Sequence, residues 1–449
     1  MRLPIDSLIL AALKCLLISY FHFNISFAIK VSGYEKHKHN MSTLAIPKYS
    51  SVKYAASRKK SMRVGSIDLL RGIVMVIMAL DHVRDYFHHD AFLYDPTDLT
   101  KTNVTLFFTR FITHYCAPVF VFLAGISAYL SGTKKSRKEL ASYLFTRGLW
   151  LIFIELTIIV LARTFNPSFP YVNLQVIWAI GVSMMVLSAL VYLPQRLIAA
   201  VGIVLVAGHN FLDTVHITGT GSGYFLWSLL HEPKIFVYGR FTIFVQYPLL
   251  PWIGIMALGY CFGTLYTQVY DPAKRKKILL SYGFGAIAAF LILRSANIYG
   301  DAAHWSTQKN GIFTLLSFFN VTKYPPSLLY ALVTLGPALV FLAYSEKPLD
   351  TVAQKISVFG RVPFFYYVAH LYLIHLLAFI AAIISGFPWS SMILADKVNR
   401  VPELKTYGFN LFITYLVWIV LIILLYPCCK WFDSYKRTHQ SEKRWLTYL

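Results

Sequence analysis

Acidic residues are scarce in this chain of 449 residues: 20 Asp and Glu stand against 42 Lys and Arg, and charged residues make up only 14% of the sequence. That is too little charge for the exterior of a water-soluble fold of this length, whereas the 57% hydrophobic content suits a bundle embedded in lipid. Cysteine is sparse as well. Cys15, Cys116, Cys261, Cys428 and Cys429 show no CxxC or metal-ligand spacing, which excludes a disulfide framework and leaves them as small packing residues. No internal repeat or low-complexity linker is present, which speaks against the paired-repeat layout of many transporters.

What charge there is, a formal +22, is segregated along the chain. Residues 30–63 carry nine Lys or Arg against one Glu, residues 132–147 carry five against Glu139, and Lys274, Arg275, Lys276 and Lys277 form a further cluster. Alternate loops are poor in basic residues: residues 88–103 hold three Asp and one Lys. This alternation follows the positive-inside rule and places the basic terminal segments in the cytoplasm. Nucleic acid is excluded as a partner, because the basic runs sit in alternate loops without interleaved aromatics.

Apolar windows long enough to cross a bilayer give an all-α, polytopic membrane helix bundle with about ten core spans, at 67–87, 104–131, 144–163, 171–193, 197–212, 240–268, 278–294, 326–345, 357–385 and 407–429. Residues 311–320 are apolar and short, as an interfacial helix would be. The expected organisation is an N-terminal hydrophobic segment and basic linker (1–61), a membrane domain (62–430) and a basic cytoplasmic tail (431–449). Residues 7–28 read as an extra anchor or as sequence upstream of a start at Met62.

The first span is the chemically unusual one. It carries Asp68, Arg71, Asp81, His82, Arg84 and Asp85, and an ionisable residue at membrane depth is a functional-site hypothesis by default. Arg71 and His82 share a helix face roughly 16 Å apart along the axis. Asp85, three residues after His82, is spaced to orient the imidazole as a general base. Asp68 and Arg71 repeat that spacing at the other end, as a binding pair or a structural one. His88 and His89 follow the span, and Arg110 and His114 lie on one face of the next, so His82, His88, His89, Arg110 and His114 come to the same leaflet.

Further on, Glu155 is expected to pair with a base on a neighbouring helix. His370 and His375 are either cavity-lining residues or core histidines satisfied by backbone carbonyls. Lys323, Tyr324, Pro325 and Pro326 form a rigid external entry to the eighth span, chiefly a backbone device, with Lys323 as a candidate anion contact. The histidines show no HxxxH pair with a further ligand, so no metal is expected. The long segments 209–239, 295–325 and 385–406 are rich in Gly, Asn, Trp, Tyr and His, a mixture suited to a sugar.

Five ordered blocks carry a family resemblance: RVGSIDLLRGIVMVIMALDHVRDYF, FTRFITHYCAPVFVFLAGISAYL, YPLLPWIGIMALGYCFG, KYPPSLLYALVTLGPAL and GRVPFFYYVAHLYLIH. Together they resemble the bacterial branch of the heparan-alpha-glucosaminide N-acetyltransferase catalytic-domain family over residues 62–430. The resemblance implies a multipass enzyme of the bacterial inner membrane that passes an acetyl group from cytoplasmic acetyl-CoA to an amino sugar or polysaccharide outside. Membrane lipid and a second copy in a homodimer are compatible partners. Arg71, ten intervening residues and His82 also match the Arg-x10-His pattern of the wider transmembrane acyltransferases. By that resemblance the catalytic base is one of His82, His88 and His89. The placement of charge agrees: Arg71 and the basic loop residues Lys134, Lys135 and Arg147 are placed to meet the coenzyme phosphates, Asp85 to orient the imidazole, and Arg110 or His114 to stabilise the oxyanion. Carbohydrate O-acylation and proton-coupled transport are the alternative functions.

Overall fold

The computed structural model describes residues 65–440 and, beyond them, Glu442, Lys443 and Leu446. The expected N-terminal anchor and basic linker, and Cys15, lie outside the described residues.

Each of the ten expected spans contains a helix: α1 (Gly65–Phe87), α2 (Val104–Thr113) with α3 (Cys116–Gly132), α4 (Arg137–Ile154) with α5 (Val160–Thr164), α6 (Val176–Leu190), α7 (Gln195–Gly208), and then α8 (Ser222–Leu230) in the following loop. The series continues with α9 (Leu250–Phe262), α10 (Pro272–Ala296), α11 (Gly311–Phe319), α12 (Leu328–Tyr344), α13 (Thr351–Arg361), α14 (Pro363–Ile384) and α15 (Leu411–His439). Among the described residues six of these continuous helical stretches are long and apolar enough to cross a membrane. The charges of α1 interrupt its apolar run, and α6, α9 and α12 are shorter apolar helices. The chain is an all-α polytopic membrane bundle.

Local chemistry sets the helix ends. Asn103, Asp271, Asn310, Ser327, Asp350 and Asn410 each accept a hydrogen bond from a backbone N–H of the first turn, and Ser136 with Glu139 forms a reciprocal capping box. Phe165 and Asn297 end α5 and α10 in the left-handed conformation.

Three boundaries differ from those expected. Residues 171–174 and 241–245 are not helix but strands β1 (Tyr171–Leu174) and β3 (Phe241–Val245), which with β2 (Lys234–Tyr238) form a sheet ordered β1-β3-β2. β1 runs parallel to β3, from Tyr171 opposite Thr242 to Leu174 opposite Val245, and β2 is antiparallel to β3. Val160, Val172, Leu174, Phe236 and Val245 form its buried core. The last helix continues to His439, past residue 430 where the membrane domain was expected to end.

Helix α1 packs against α2, α3, α13, α14 and α15. One of these crossings depends on absent side chains at two places. A Cβ on Gly360 would lie 1.9 Å from the Asp68 carbonyl oxygen, and one on Gly72 would lie 2.2 Å from the Ile356 carbonyl oxygen, so α1 and α13 touch backbone to backbone. The same device joins α3 to α9, where Gly125 faces the Met256 carbonyl and Gly259 the Phe122 carbonyl.

Candidate functional site

The C-terminal half of α1 faces a cavity of about 150 Å³ walled by Met78, Asp81, His82, Arg84 and Asp85, by Arg110 and Thr113 of α2, and by Cys116 at the start of α3. Arg163 closes it from the end of α5, Gln175 and Gln246 from the strand ends, and Lys323 with Tyr324 from the segment before α12. The sheet supplies that wall directly: Gln246 Oε1 accepts from Asn173 Nδ2 at 2.8 Å and Gln175 Nε2 at 3.1 Å.

Lys323 and Tyr324 reach the cavity because the loop before α12 is held rigidly. Arg294 is 1% exposed and donates to the carbonyls of Ala303, Ser317, Phe318 and Asn320, taking up the free C-terminal carbonyls of α11. Asp301 accepts from Thr322 N at 2.8 Å, Thr322 Oγ1 at 2.6 Å and Ser327 Oγ at 2.6 Å, which brackets Lys323 between two anchored residues.

An ion cluster forms the floor. Both carboxylate oxygens of Asp81 accept from Arg110 Nη1, at 2.8 and 2.7 Å, while Arg84 Nη2 lies 2.9 Å from Asp81 and 2.7 Å from Asp85. Thr113 Oγ1 adds a bond to Asp81 at 3.0 Å. The expected pairing of His82 with Asp85 does not form: the permanently charged Arg84 guanidinium takes the Asp85 carboxylate, a stronger partner than a neutral imidazole. His82 Nδ1 is buried and has no hydrogen bond to any described residue. Its ring instead faces His370 of α14, with centroids 5.3 Å apart. His370 is fully buried, its Nδ1 3.0 Å from the Tyr366 carbonyl oxygen, so it is a core histidine satisfied by a carbonyl rather than a cavity-lining one, and it touches the cavity through His82. His375 is a core residue, with the Ala162 and Met392 carbonyls 2.9 and 2.8 Å from its two nitrogens.

The remaining expected site residues fall elsewhere. His88 is buried beside the cavity end of α1, its Nδ1 3.1 Å from the Phe409 carbonyl oxygen and its Nε2 3.5 Å from Asp90. Burial pushes its imidazole below the usual value, with the Phe409 carbonyl and Asp90 opposing. His89 is half exposed and lies 3.4 Å from Asp90. His114 is buried at the α2–α3 break against Phe111 and Tyr330, outside the cavity wall. Asp68 and Arg71 lie near the opposite end of α1, where Arg71 donates to Ser127 Oγ at 3.0 Å and the Gly360 carbonyl at 3.2 Å, beside Asp68 at 3.4 Å. The cavity stops short of them.

Residues unremarked in the sequence complete the wall. Asp95 lines it; burial would raise its carboxyl, but Arg110 and hydrogen bonds from Thr97 outweigh that and hold it below the ordinary carboxylate range. Arg163 donates from Nη2 to the Tyr367 hydroxyl at 3.3 Å, while its own carbonyl accepts from Tyr86. Among the described residues no carboxylate lies within ion-pair distance of Arg163 or Lys323. The signal for Arg163 is its position at the end of an apolar span, where a charge is as telling as in α1. Glu155, eight residues earlier in a π-helical turn, faces the amide end of α6 at Gln175, Ile177 and Trp178; the cation whose charge acts on it is Arg163, on its own helical stretch rather than a neighbour's.

A bundle of membrane-length helices that encloses a polar, ion-lined cavity defines an integral membrane protein with an internal reaction or transport site. Residues 63–299 of the 449, more than half of the chain, match the family described as heparan-alpha-glucosaminide N-acetyltransferase, catalytic, and the chain belongs to that family. It is thereby an acyltransferase-type membrane enzyme. No curated protein matches the chain. The matched stretch supplies α1 to α10 with the sheet, while Lys323, Tyr324 and His370 come from beyond it.

Proposed function

We propose that this protein transfers the acetyl group of cytoplasmic acetyl-CoA to an amino sugar on the far side of the bacterial inner membrane, with His82 as the general base. The observation that carries the proposal is the His82 imidazole, set in the cavity wall with a buried nitrogen hydrogen-bonded to no described residue and backed by His370. The sugar amine attacks the thioester carbonyl, His82 accepts the proton lost by the amine, and the same proton passes to the departing thiolate. Arg163, which has no carboxylate within ion-pair distance among the described residues, takes the oxyanion role expected of Arg110 or His114, because Asp81 occupies Arg110 and His114 lies outside the wall. Direct transfer to the amine is the simplest route, since His82 then needs only to move a proton.

The orientation rests on charge. The basic segments 132–147 and 274–277 lie at the end of the bundle away from His82, and a second cavity of about 230 Å³ there is lined by Lys135 and Arg137. This is where the phosphates of a polyanionic donor meet the protein. Helix α3 leads from that end to Cys116 in the first cavity, a rise of roughly 25 Å that the donor's long arm must cover.

The test is acetyl transfer from radiolabelled acetyl-CoA to glucosamine by the detergent-purified chain. His82→Ala should lower the rate by about 10²–10⁴-fold, while His88→Ala and His89→Ala retain most of it. A product released by hydroxylamine would mark an ester and redirect the assignment to O-acylation. Unaltered turnover in His82→Ala would remove His82 as the base.

A further inference from the structure

A second cluster of titratable side chains lies away from the cavity. His209, at the end of α7, Asp213, four residues later, and His231, just after α8, bring one ligand atom each to within 4.8 Å of one another. His231 Nε2 and Asp213 Oδ1 are 3.1 Å apart, and Asn210 Nδ2 donates to the other Asp213 oxygen at 2.8 Å, leaving Oδ1 turned inward. An imidazole–carboxylate pair alone explains those two residues. It does not explain His209, which is 3% exposed with both ring nitrogens buried and hydrogen-bonded to no described residue. The Pro326 carbonyl lies beside that ring outside hydrogen-bonding geometry.

We propose that His209, Asp213 and His231 bind one divalent transition-metal ion, with Zn²⁺ the best fit to two imidazoles and a carboxylate. Tetrahedral Zn²⁺ with ligands at ~2.0–2.1 Å holds its ligand atoms about 3.3 Å apart, so the His231–Asp213 edge is already at the required separation. Drawing in His209 takes a shift of about an ångström or a little more, and water completes the fourth position from the partly exposed Asp213 side. Asn210 acts as the outer partner that fixes the carboxylate. The set has no HxxxH pair, because the residue one turn after His209 is an Asp and the third ligand belongs to another element.

The ion joins two parts of the cavity wall. It fastens α8, whose Leu229 carbonyl accepts from Leu249 N at 2.8 Å, next to the strand end that presents Gln246 and Tyr247. Asn210 Oδ1 also accepts from Leu328 N at 2.9 Å, the first residue of α12, just past Lys323 and Tyr324.

The full-length protein, purified in detergent and stripped with a chelator, is titrated with Co²⁺ as a spectroscopic substitute for Zn²⁺. One Co²⁺ per chain should bind with the visible absorption of a four-coordinate site, and one Zn²⁺ should displace it. His231→Ala and Asp213→Asn should each weaken binding by more than about 100-fold, beyond what loss of an outer partner costs. His216→Ala, exposed on the same loop beside Glu232, should leave it unchanged. As a second readout that does not need a folded ligand-deletion variant, Zn²⁺ should raise the unfolding temperature of the stripped wild-type chain. Absence of Co²⁺ uptake, or of that thermal shift, overturns the proposal, as does wild-type affinity in His231→Ala.

Discussion

His82 and His370, on the first and the fourteenth helix, stand with their rings 5.3 Å apart and tilted by 45°. The Tyr366 carbonyl, 3.0 Å from His370 Nδ1, assigns the proton to that nitrogen and leaves Nε2 as a buried lone pair with no hydrogen bond to any described residue. His370 thus holds its orientation through the backbone and holds His82 through ring contact. It is a positioning residue. His370→Ala should lower kcat by up to about 100-fold with little change in the acceptor KM, the pattern of a misplaced base rather than of lost binding. Steady-state kinetics in detergent check this; a rise in KM at constant kcat would make His370 a substrate contact instead.

Asp81 neutralises two buried guanidinium groups at once. Removing it in Asp81→Ala strands the Arg110 guanidinium in a low-dielectric interior and leaves Arg84 with Asp85 alone, at a cost of roughly 3–5 kcal/mol. The further change Arg110→Ala should recover part of that loss, because the stranded charge goes with it. Thermal unfolding of the two single variants and the double variant gives the coupling energy. Simple additivity across the cycle would show that the contact contributes little.

Much of the fold is legible in the sequence because most core helices are long apolar runs, several of them opened by a capping residue such as Asn103, Ser136, Asp271, Ser327 or Asn410. The strands are not legible for a physical reason. Residues 171–174 and 241–245 are short apolar runs joined directly to apolar helices, and periodicity cannot separate a four-residue strand from the first turn of a buried helix. At the site, charge within apolar spans singles out His82 and Arg110, and both line the cavity wall. Asp85 misleads because three-residue spacing permits a contact but does not rank competitors, and Arg84 is the stronger one. Lys323 is found from its residue type. His370 is the case where pattern stops, since its approach to His82 joins residues far apart in the chain.

Acid should destabilise the loop behind the cavity. Burial pushes His88 below its ordinary value of 6.5, so the native state favours neutral imidazole while the unfolded chain binds a proton near that pH. The unfolded state then holds more protons below about pH 6.5, and stability falls as pH drops through that window. Asp95, held below the carboxylate range, adds its loss only at lower pH, as the solution falls through its native value. The unfolding temperature of the wild type should therefore decline between about pH 7 and pH 5, and His88→Gln should flatten that decline. Equal slopes for the two proteins would assign the acid response to other groups.

Arg71 offers the sharpest separation of structure from catalysis. Its guanidinium binds Ser127 of α3 and the Gly360 carbonyl of α13, at the place where Gly360 lets α1 and α13 touch. A side chain committed to two other helices is a poor ligand for a coenzyme phosphate, whereas Lys135 and Arg137 line an accessible basic cavity. Arg71→Ala should therefore lower the unfolding temperature and reduce activity at unchanged KM for acetyl-CoA. Gly360→Ala, which forces a Cβ against the Asp68 carbonyl, should reproduce the loss of stability at about 1–3 kcal/mol or more. Paired Lys135→Ala and Arg137→Ala changes should do the reverse, raising the acetyl-CoA KM without lowering the unfolding temperature. If Arg71→Ala raises that KM while its unfolding temperature stays at the wild-type value, Arg71 is a donor ligand and the helix tie is incidental.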